Sequence, residues 1–254
     1  MSQTKRKPLS PPDTKILYGK AAGRCAFPDC RRELVLEATG SDPNRQIGRI
    51  AHIVAHSVDG PRGDPDFPNE KLATYGNSIL LCPTCHEMVD AQPNAYPVTK
   101  LKAIKEAHEN WVRASLASAM SEIGFPELEI IAKGISSSPD KPAENFTVIP
   151  PREKMARNGL TNQVEQLILV GMAQQHQVSD FLQGYSMVDS DFSERLKFGF
   201  LNAYEKFRAQ GLTDDALFET MHEFANGESR EFKRQAAGLA ILIYLFEACE
   251  VFEK

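Results

Sequence analysis

Residues 77–90 read NSILLCPTCHEMVD, and their interpretation decides how the rest of the chain is read. An apolar run, Ile79 to Leu81, leads into Cys82-Pro83-Thr84-Cys85, and the residues after it fall at helical spacing. Two closely spaced cysteines with a proline between them form a turn that aims both sulfurs at one place. His86 and Asp90, at i and i+4, share one face of the helix that follows. One pair of thiolates leaves a tetrahedral ion half-coordinated, so a second pair is required. It is present upstream in GRCAFPDC, residues 23–30, as Cys25 and Cys30. Four thiolates satisfy tetrahedral Zn2+ and leave no open position, which makes the expected site structural. The competing reading of Cys82 and Cys85 is a thioredoxin-like redox pair. No βαβ pattern surrounds them and a second pair exists, which favours zinc. The fifth cysteine, Cys249, lies in an apolar helical run and reads as a core thiol.

Between the two pairs lies IGRIAHIVAHSVDGPRGD, residues 47–64. His52 stands in an apolar run with Ile50, Ile53 and Val54, which predicts an extended segment with alternating faces. Asn77 precedes His86 by nine residues. An imidazole, an amide and a second imidazole–carboxylate pair beside a zinc clamp suit one chemistry in particular. They can hydrolyse a phosphodiester with the help of one divalent ion.

These residues resemble the HNH endonucleases of the ββα-metal class, with His52, Asn77 and His86 as the signature. The spacing of Asn77, His86 and Asp90 is similar to that of the colicin-type DNases. The cysteine pairs resemble those of zinc-stabilised HNH nucleases of bacterial restriction and anti-phage systems. The run AHIVAHS-DGPRGD, with the later Tyr96-Pro97, Leu101-Lys102 and His108-Glu-Asn-Trp-Val112, is similar to HNH domains fused to second-messenger sensors. The resemblance covers roughly residues 14–118 and implies roles residue by residue. His52 is the implied general base, and Asn77 orients the turn that positions it. His86 and Asp90 are the implied holders of a catalytic Mg2+ or Mn2+, and Arg62 the implied contact to a neighbouring DNA phosphate. Many relatives carry a metal ligand immediately before the general base, where this chain has Ala51. His56, four residues downstream of His52, is the candidate replacement. His108 reads as structural, and His176 and His222 as exposed surface histidines.

The remainder of the chain is of another kind. One helix is marked from about Val98 to Ala119 by Leu101, Ile104, Trp111, Val112 and Leu116. Residues 134–159, with four prolines and three consecutive serines, have the composition of a connector. From residue 160 onward the pattern is helical. One helix reads from Leu160 to Leu182, with apolar residues from Val164 to Val178. The next reads from near Asp189 through Phe192 to Phe207 as far as Gly211, and Thr213 predicts the start of a further short helix. The last helix, about Arg230 to Phe252, is apolar nearly all round and so must be buried by neighbours or by another chain. The expected organisation is a basic flexible tail at 1–13, a nuclease domain at 14–133, a linker at 134–159 and a helical bundle at 160–254. The fold class is α+β: a small zinc-stabilised ββα-metal domain followed by an all-α bundle. The ending RQAAGLAILIYLFEACEVFEK resembles C-terminal domains of effectors in ABC-three-component defence systems. That implies an ABC-type ATPase and a small middle component as partners, and the apolar last helix implies a homodimer or higher oligomer.

Composition bounds these readings. With 254 residues, 42% hydrophobic and 25% charged, the chain can build a core, which excludes disorder throughout. Its longest apolar run, 236–246, is shorter than the roughly 18 to 20 residues of a membrane span. No apolar segment follows the basic N-terminus, so the expected setting is cytoplasmic with reduced cysteines. The net charge of −5 is a sum over unlike parts. Residues 1–50 hold ten Lys or Arg against five Asp or Glu, and residues 160–254 hold eight against fifteen. An acidic bundle is a poor DNA surface, so the bundle is expected to serve assembly or docking. The alternative function for the whole chain is a catalytically silent, zinc-stabilised DNA-binding adaptor.

Overall fold

The computed structural model describes residues 8–36, 39–136, 151–248 and 252. The chain forms two compact units, 1–112 and 113–254, and is α+β, mostly helical with small two-stranded sheets. No helix among the described residues is long and apolar enough to cross a membrane.

The first unit starts with α1, Pro11–Lys20. The sequence pattern does not mark this helix, because its buried apolar content is only Leu17 and Tyr18. Its start is set by local chemistry instead. Ser10 caps it by accepting from Asp13 N, and prolines at the first two positions fit where no amide partner is needed. Pro11 and Pro12 therefore belong to a helix and not to a flexible tail, while Lys5, Arg6 and Lys7 lie outside the described residues. A short antiparallel pair, β1 (Val35–Leu36) and β2 (Arg45–Gln46), follows the first cysteine turn.

The centre of this unit is a second antiparallel pair, β3 (Arg49–His52) and β4 (Ser78–Leu81). Its register places Ala51 opposite Ile79 and His52 opposite Ser78. Between the strands run the short helix α2 (Asn69–Leu72) and a 3-10 turn, Tyr75–Asn77. β4 is buried at every residue and passes directly into α3, Pro83–Ala91, whose N-cap is Cys82. The core packs Leu17, Leu34, Ile53, Ile79, Leu81 and Val89 around the cysteines. The helix expected at 98–119 is α4, Val98–Met120, and the division between the units falls inside it. His108 is structural, as expected: it is buried, its Nε2 lies 3.1 Å from Ala21 O and its ring stacks on Trp111.

The second unit is built from helices. Their order is α5 (Phe125–Ser136), α6 (Pro151–Arg157), α7 (Asn162–Met172), α8 (Gln175–Ser186), α9 (Phe192–Ala209), α10 (Asp214–Ala225) and α11 (Phe232–Ala248). Three features differ from the sequence pattern. The stretch 160–182, which reads as one helix, is two, α7 and α8, parted at Ala173 and Gln174. α5, placed by sequence in the nuclease domain, packs against α9 and α11 through Leu128, Ile131, Ala132 and Ile135, one helical stripe. The ends of the 134–159 segment are also helical, since α5 extends to Ser136 and α6 starts at Pro151.

The last helix is covered within the chain, because α5, α7, α8 and α10 all contact α11. Its apolar circumference is therefore no argument for a dimer by itself. α10 crosses it closely at Gly238, where a Cβ would stand 2.7 Å from Asn226 N. His222 is also a correction. It is buried rather than exposed, with Nε2 2.9 Å from Gln235 O, and burial lowers its pKa below the usual value. It faces inward because α10 has little solvent face at all, with Asp215 to His222 all buried. His176 is exposed, and Cys249 lies outside the described residues.

Two buried charged groups of this unit brace helix ends. Lys154 on α6 is fully buried and donates from Nζ to Phe246 O in the last turn of α11 at 2.6 Å. A cation there satisfies one of the carbonyls that a helix C-terminus leaves without partners. Asp215 accepts from both Thr161 N and Thr161 Oγ1, which ties the start of α7 to α10.

Candidate functional site

Cys25, Cys30, Cys82 and Cys85 come together with their sulfurs all within 4.8 Å of one another. The Cys30 and Cys82 sulfurs are 3.8 Å apart. A tetrahedron with Zn–S bonds of about 2.3 Å has an edge of about 3.8 Å, so the donor set fits a zinc ion in size as well as chemistry. The local structure explains the aim of each sulfur. In the first turn the amides of Cys30 and Arg31 both donate to Phe27 O, and Arg31 takes a left-handed φ of 47° to leave the turn. In the second, Cys82 caps α3 and accepts from Cys85 N at 3.4 Å. Burial pushes the Cys25 thiol up to about 11 and raises Cys85 as well. At Cys82 burial is outweighed by hydrogen bonds from Cys85, Cys30 and Cys25, which hold that thiol below its ordinary value. Sulfurs this crowded repel as thiolates unless a cation lies between them. Arg31 stays close by, its guanidinium 4.5 Å over the Trp111 ring.

On the neighbouring side of the β3–β4 pair lies a polar group. His52 is the last residue of β3 and half-buried, whereas Ala51 points the other way and is 1% exposed in the core. The position before His52 is thus given over to packing against Ile79. His86 and Asp90 share a face of α3, with His86 Nδ1 3.7 Å from Asp90 Oδ2. His56 has its ring centroid 6.3 Å from that of His52. Among the described residues the four cysteines alone form a set of three or more possible ligands, so His56 does not complete a set with His86 and Asp90.

Asn77 is the hub beneath this group. It is 3% exposed, its Oδ1 accepts from Val54 N at 2.9 Å, and its Nδ2 donates to Val54 O and Leu72 O. Arg62, expected at a DNA phosphate, is placed otherwise. Its side chain is 4% exposed, and its donors go to Ile53 O, Val89 O, His52 O and Asp90 Oδ1. A guanidinium spent on four protein acceptors has little left for a ligand. Arg62 has a φ of 60°, and a Cβ at Gly63 would stand 2.0 Å from Val58 O.

A second cluster escapes the sequence pattern. The Tyr75 ring has Lys105 Nζ 3.6 Å and Lys20 Nζ 4.7 Å from its centroid, and its hydroxyl donates to Glu109 at 2.6 Å. It ties α1, the 3-10 turn before β4 and α4 together, with Tyr75 N also donating to Asp13. Nothing in residue spacing announces it, because its members come from three separate segments.

No family model and no curated protein matches this sequence.

Proposed function

We propose that the first unit is an HNH-type, ββα-metal endonuclease hydrolysing DNA phosphodiester bonds. The observation that carries this reading is the grouping around β3, β4 and α3. His52 ends one strand, Asn77 holds the backbone just beyond it, and His86 with Asp90 lies on the helix that follows the other strand. The four cysteines beside it hold Zn2+ as a structural ion.

In this reading His52 takes a proton from a water molecule as its oxygen attacks phosphorus. The P–O3′ bond breaks, the departing 3′ oxygen takes a proton from solvent water, and a 5′-phosphate and a 3′-hydroxyl result. Asn77 fixes the direction of the His52 backbone by using three of its hydrogen bonds on the loop. One imidazole and one carboxylate, both partly exposed, suit an ion that keeps several waters, such as Mg2+ or Mn2+. His86 and Asp90 would hold it, and it would supply charge stabilisation at the scissile phosphate. The helical unit is read as an assembly or docking module, in keeping with its acidic charge. By the resemblance of its ending, it serves an anti-phage effector with an ABC-type ATPase and a small middle component.

The buried Ala51, with no third ligand from His56, favours one other reading, a zinc-stabilised DNA-binding adaptor without activity. Incubation of the full chain with plasmid and Mg2+ or Mn2+, beside a His52→Ala variant, separates the two. Cleavage by the wild type that falls about 10²- to 10⁴-fold in the variant supports the nuclease. If neither cuts and both bind DNA with steep salt dependence, the adaptor stands.

A further inference from the structure

We propose that Arg62 is a positioning residue, a single guanidinium that locks the backbone leaving His52 to the carboxylate of Asp90. The proposal rests on the nuclease reading for its purpose, and on the following geometry for its substance.

The chain leaving β3 has no sheet partner, yet its backbone groups are paired one after another. His52 O accepts from Arg62 Nη2 at 3.3 Å, and Ile53 O from Arg62 Nε at 3.0 Å. Ile53 N donates to Asn77 O at 2.9 Å, while Val54 N and Val54 O pair with the Asn77 side chain. From His52 O to Val54 O every polar backbone group is therefore held, two by Arg62 and three by Asn77. The same guanidinium reaches across to α3. Its Nη1 donates to Val89 O at 2.6 Å, in the last turn of α3, and its Nη2 to Asp90 Oδ1 at 2.7 Å.

Nη2 bonds both His52 O and Asp90 Oδ1, so these two acceptors stand no farther apart than the two bonds laid end to end. Arg62 therefore sets the spacing between the proposed base and the proposed metal-binding helix. It also takes one oxygen of Asp90 and leaves Oδ2 on the His86 side. Asp90 then offers a single oxygen where an unpaired carboxylate would offer two. Only a planar, forked cation can serve four acceptors in this way, and a lysine reaches fewer of them from one point.

The test uses the full chain as wild type, Arg62→Lys, Arg62→Ala and Asp90→Asn, with zinc content and thermal melting as fold controls. Three quantities are read: the ring signals of His52 and His86 by NMR without metal or DNA, Mn2+ affinity by electron paramagnetic resonance, and DNA affinity against salt. For a positioning residue, both ring signals move in Arg62→Lys, and Mn2+ affinity falls about 10- to 100-fold. DNA affinity and its salt slope stay within about twofold, and Asp90→Asn repeats the His86 change. If Arg62→Ala loses zinc, Arg62→Lys and Asp90→Asn carry the result. Unmoved ring signals in Arg62→Lys overturn the proposal. So does a weaker DNA complex with a salt slope smaller by about one, restored by lysine, which is the signature of a phosphate contact. If the wild type does not cut DNA, the nuclease reading fails, and the ring signals still decide whether Arg62 positions His52 and His86.

Discussion

In residues 1–112 a small apolar core is braced by polar, directional contacts at its strands and turns, while in residues 113–254 long helices share an extended apolar core. The first unit has strand pairs no longer than four residues, yet it holds a loop between β3 and β4 in one conformation. Asn77 and Arg62 brace that loop through its backbone, while the four cysteines gather where β4 passes into α3. The second unit has α11 running through its middle and needs polar contacts chiefly where helices end, at Lys154, Asp215 and His222. The difference teaches how each tolerates change. A directional network fails when one member is lost, because its buried partners remain unpaired. A packed helical core loses stability in proportion to the volume removed.

Removing the metal should separate the two most sharply. Chelation, or Cys82→Ser, is expected to abolish zinc stoichiometry and hydrogen-exchange protection at 79–81, since apparent structural-zinc affinities are worth about 10–16 kcal/mol. Protection within 162–248 should persist. Retained zinc in Cys82→Ser would count against the four-sulfur site. Asn77→Ala leaves Val54 N, Val54 O and Leu72 O without their partner, at a cost of about 3 to 5 kcal/mol in denaturant unfolding. A loss below about 1 kcal/mol would mean that the loop is held by other contacts.

In the second unit Lys154→Ala removes a buried stem and the donor to Phe246 O, and should cost about 2 to 4 kcal/mol by the same measurement. A neutral result would show that the cation contributes nothing there. The smallest effect is electrostatic. Burial lowers the His222 pKa, so the unfolded chain binds a proton more readily as pH falls below about 6.5. Stability of this unit should then fall with decreasing pH, by at most about 1.4 kcal/mol per pH unit from this one group. The slope should flatten in His222→Gln when melts at pH 7.5 and 5.5 are compared.

Much of this comparison is legible in the sequence, and unevenly so. α4 and α9 announce themselves because their apolar residues repeat with the helical period, α10 through the start signal at Thr213, and α11 as one long apolar run. The four cysteines announce that they will meet because their chemistry admits few other uses in two close pairs. α1 is silent, since a cap and two prolines start it while only two apolar residues hold it. α5 goes unread, because its short stripe of Leu128, Ile131, Ala132 and Ile135 does not name the surface it will cover. Arg62 is the instructive case. Its residue type suits a phosphate and a brace equally, and only the loop that buries it distinguishes the two. His222 shows the same limit, since a polar residue on a helix without a solvent face has nowhere else to go.

The two cysteine turns bring one further consequence, for how the chain is made. Cys30 and Cys82 lie 52 residues apart, so half of the clamp is synthesised well before the other half. At the usual elongation rates of about 5 to 20 residues per second, Cys25 and Cys30 wait about 3 to 10 s for their partners. Closing so long a loop costs about 3.5 kcal/mol beyond the constant term, by the logarithmic scaling of loop entropy. During that interval the half-site is an open pair of thiols, exposed to oxidants and to any soft metal that arrives first. On the proposal that the four sulfurs hold zinc, the site is complete only once the Cys82 turn has emerged.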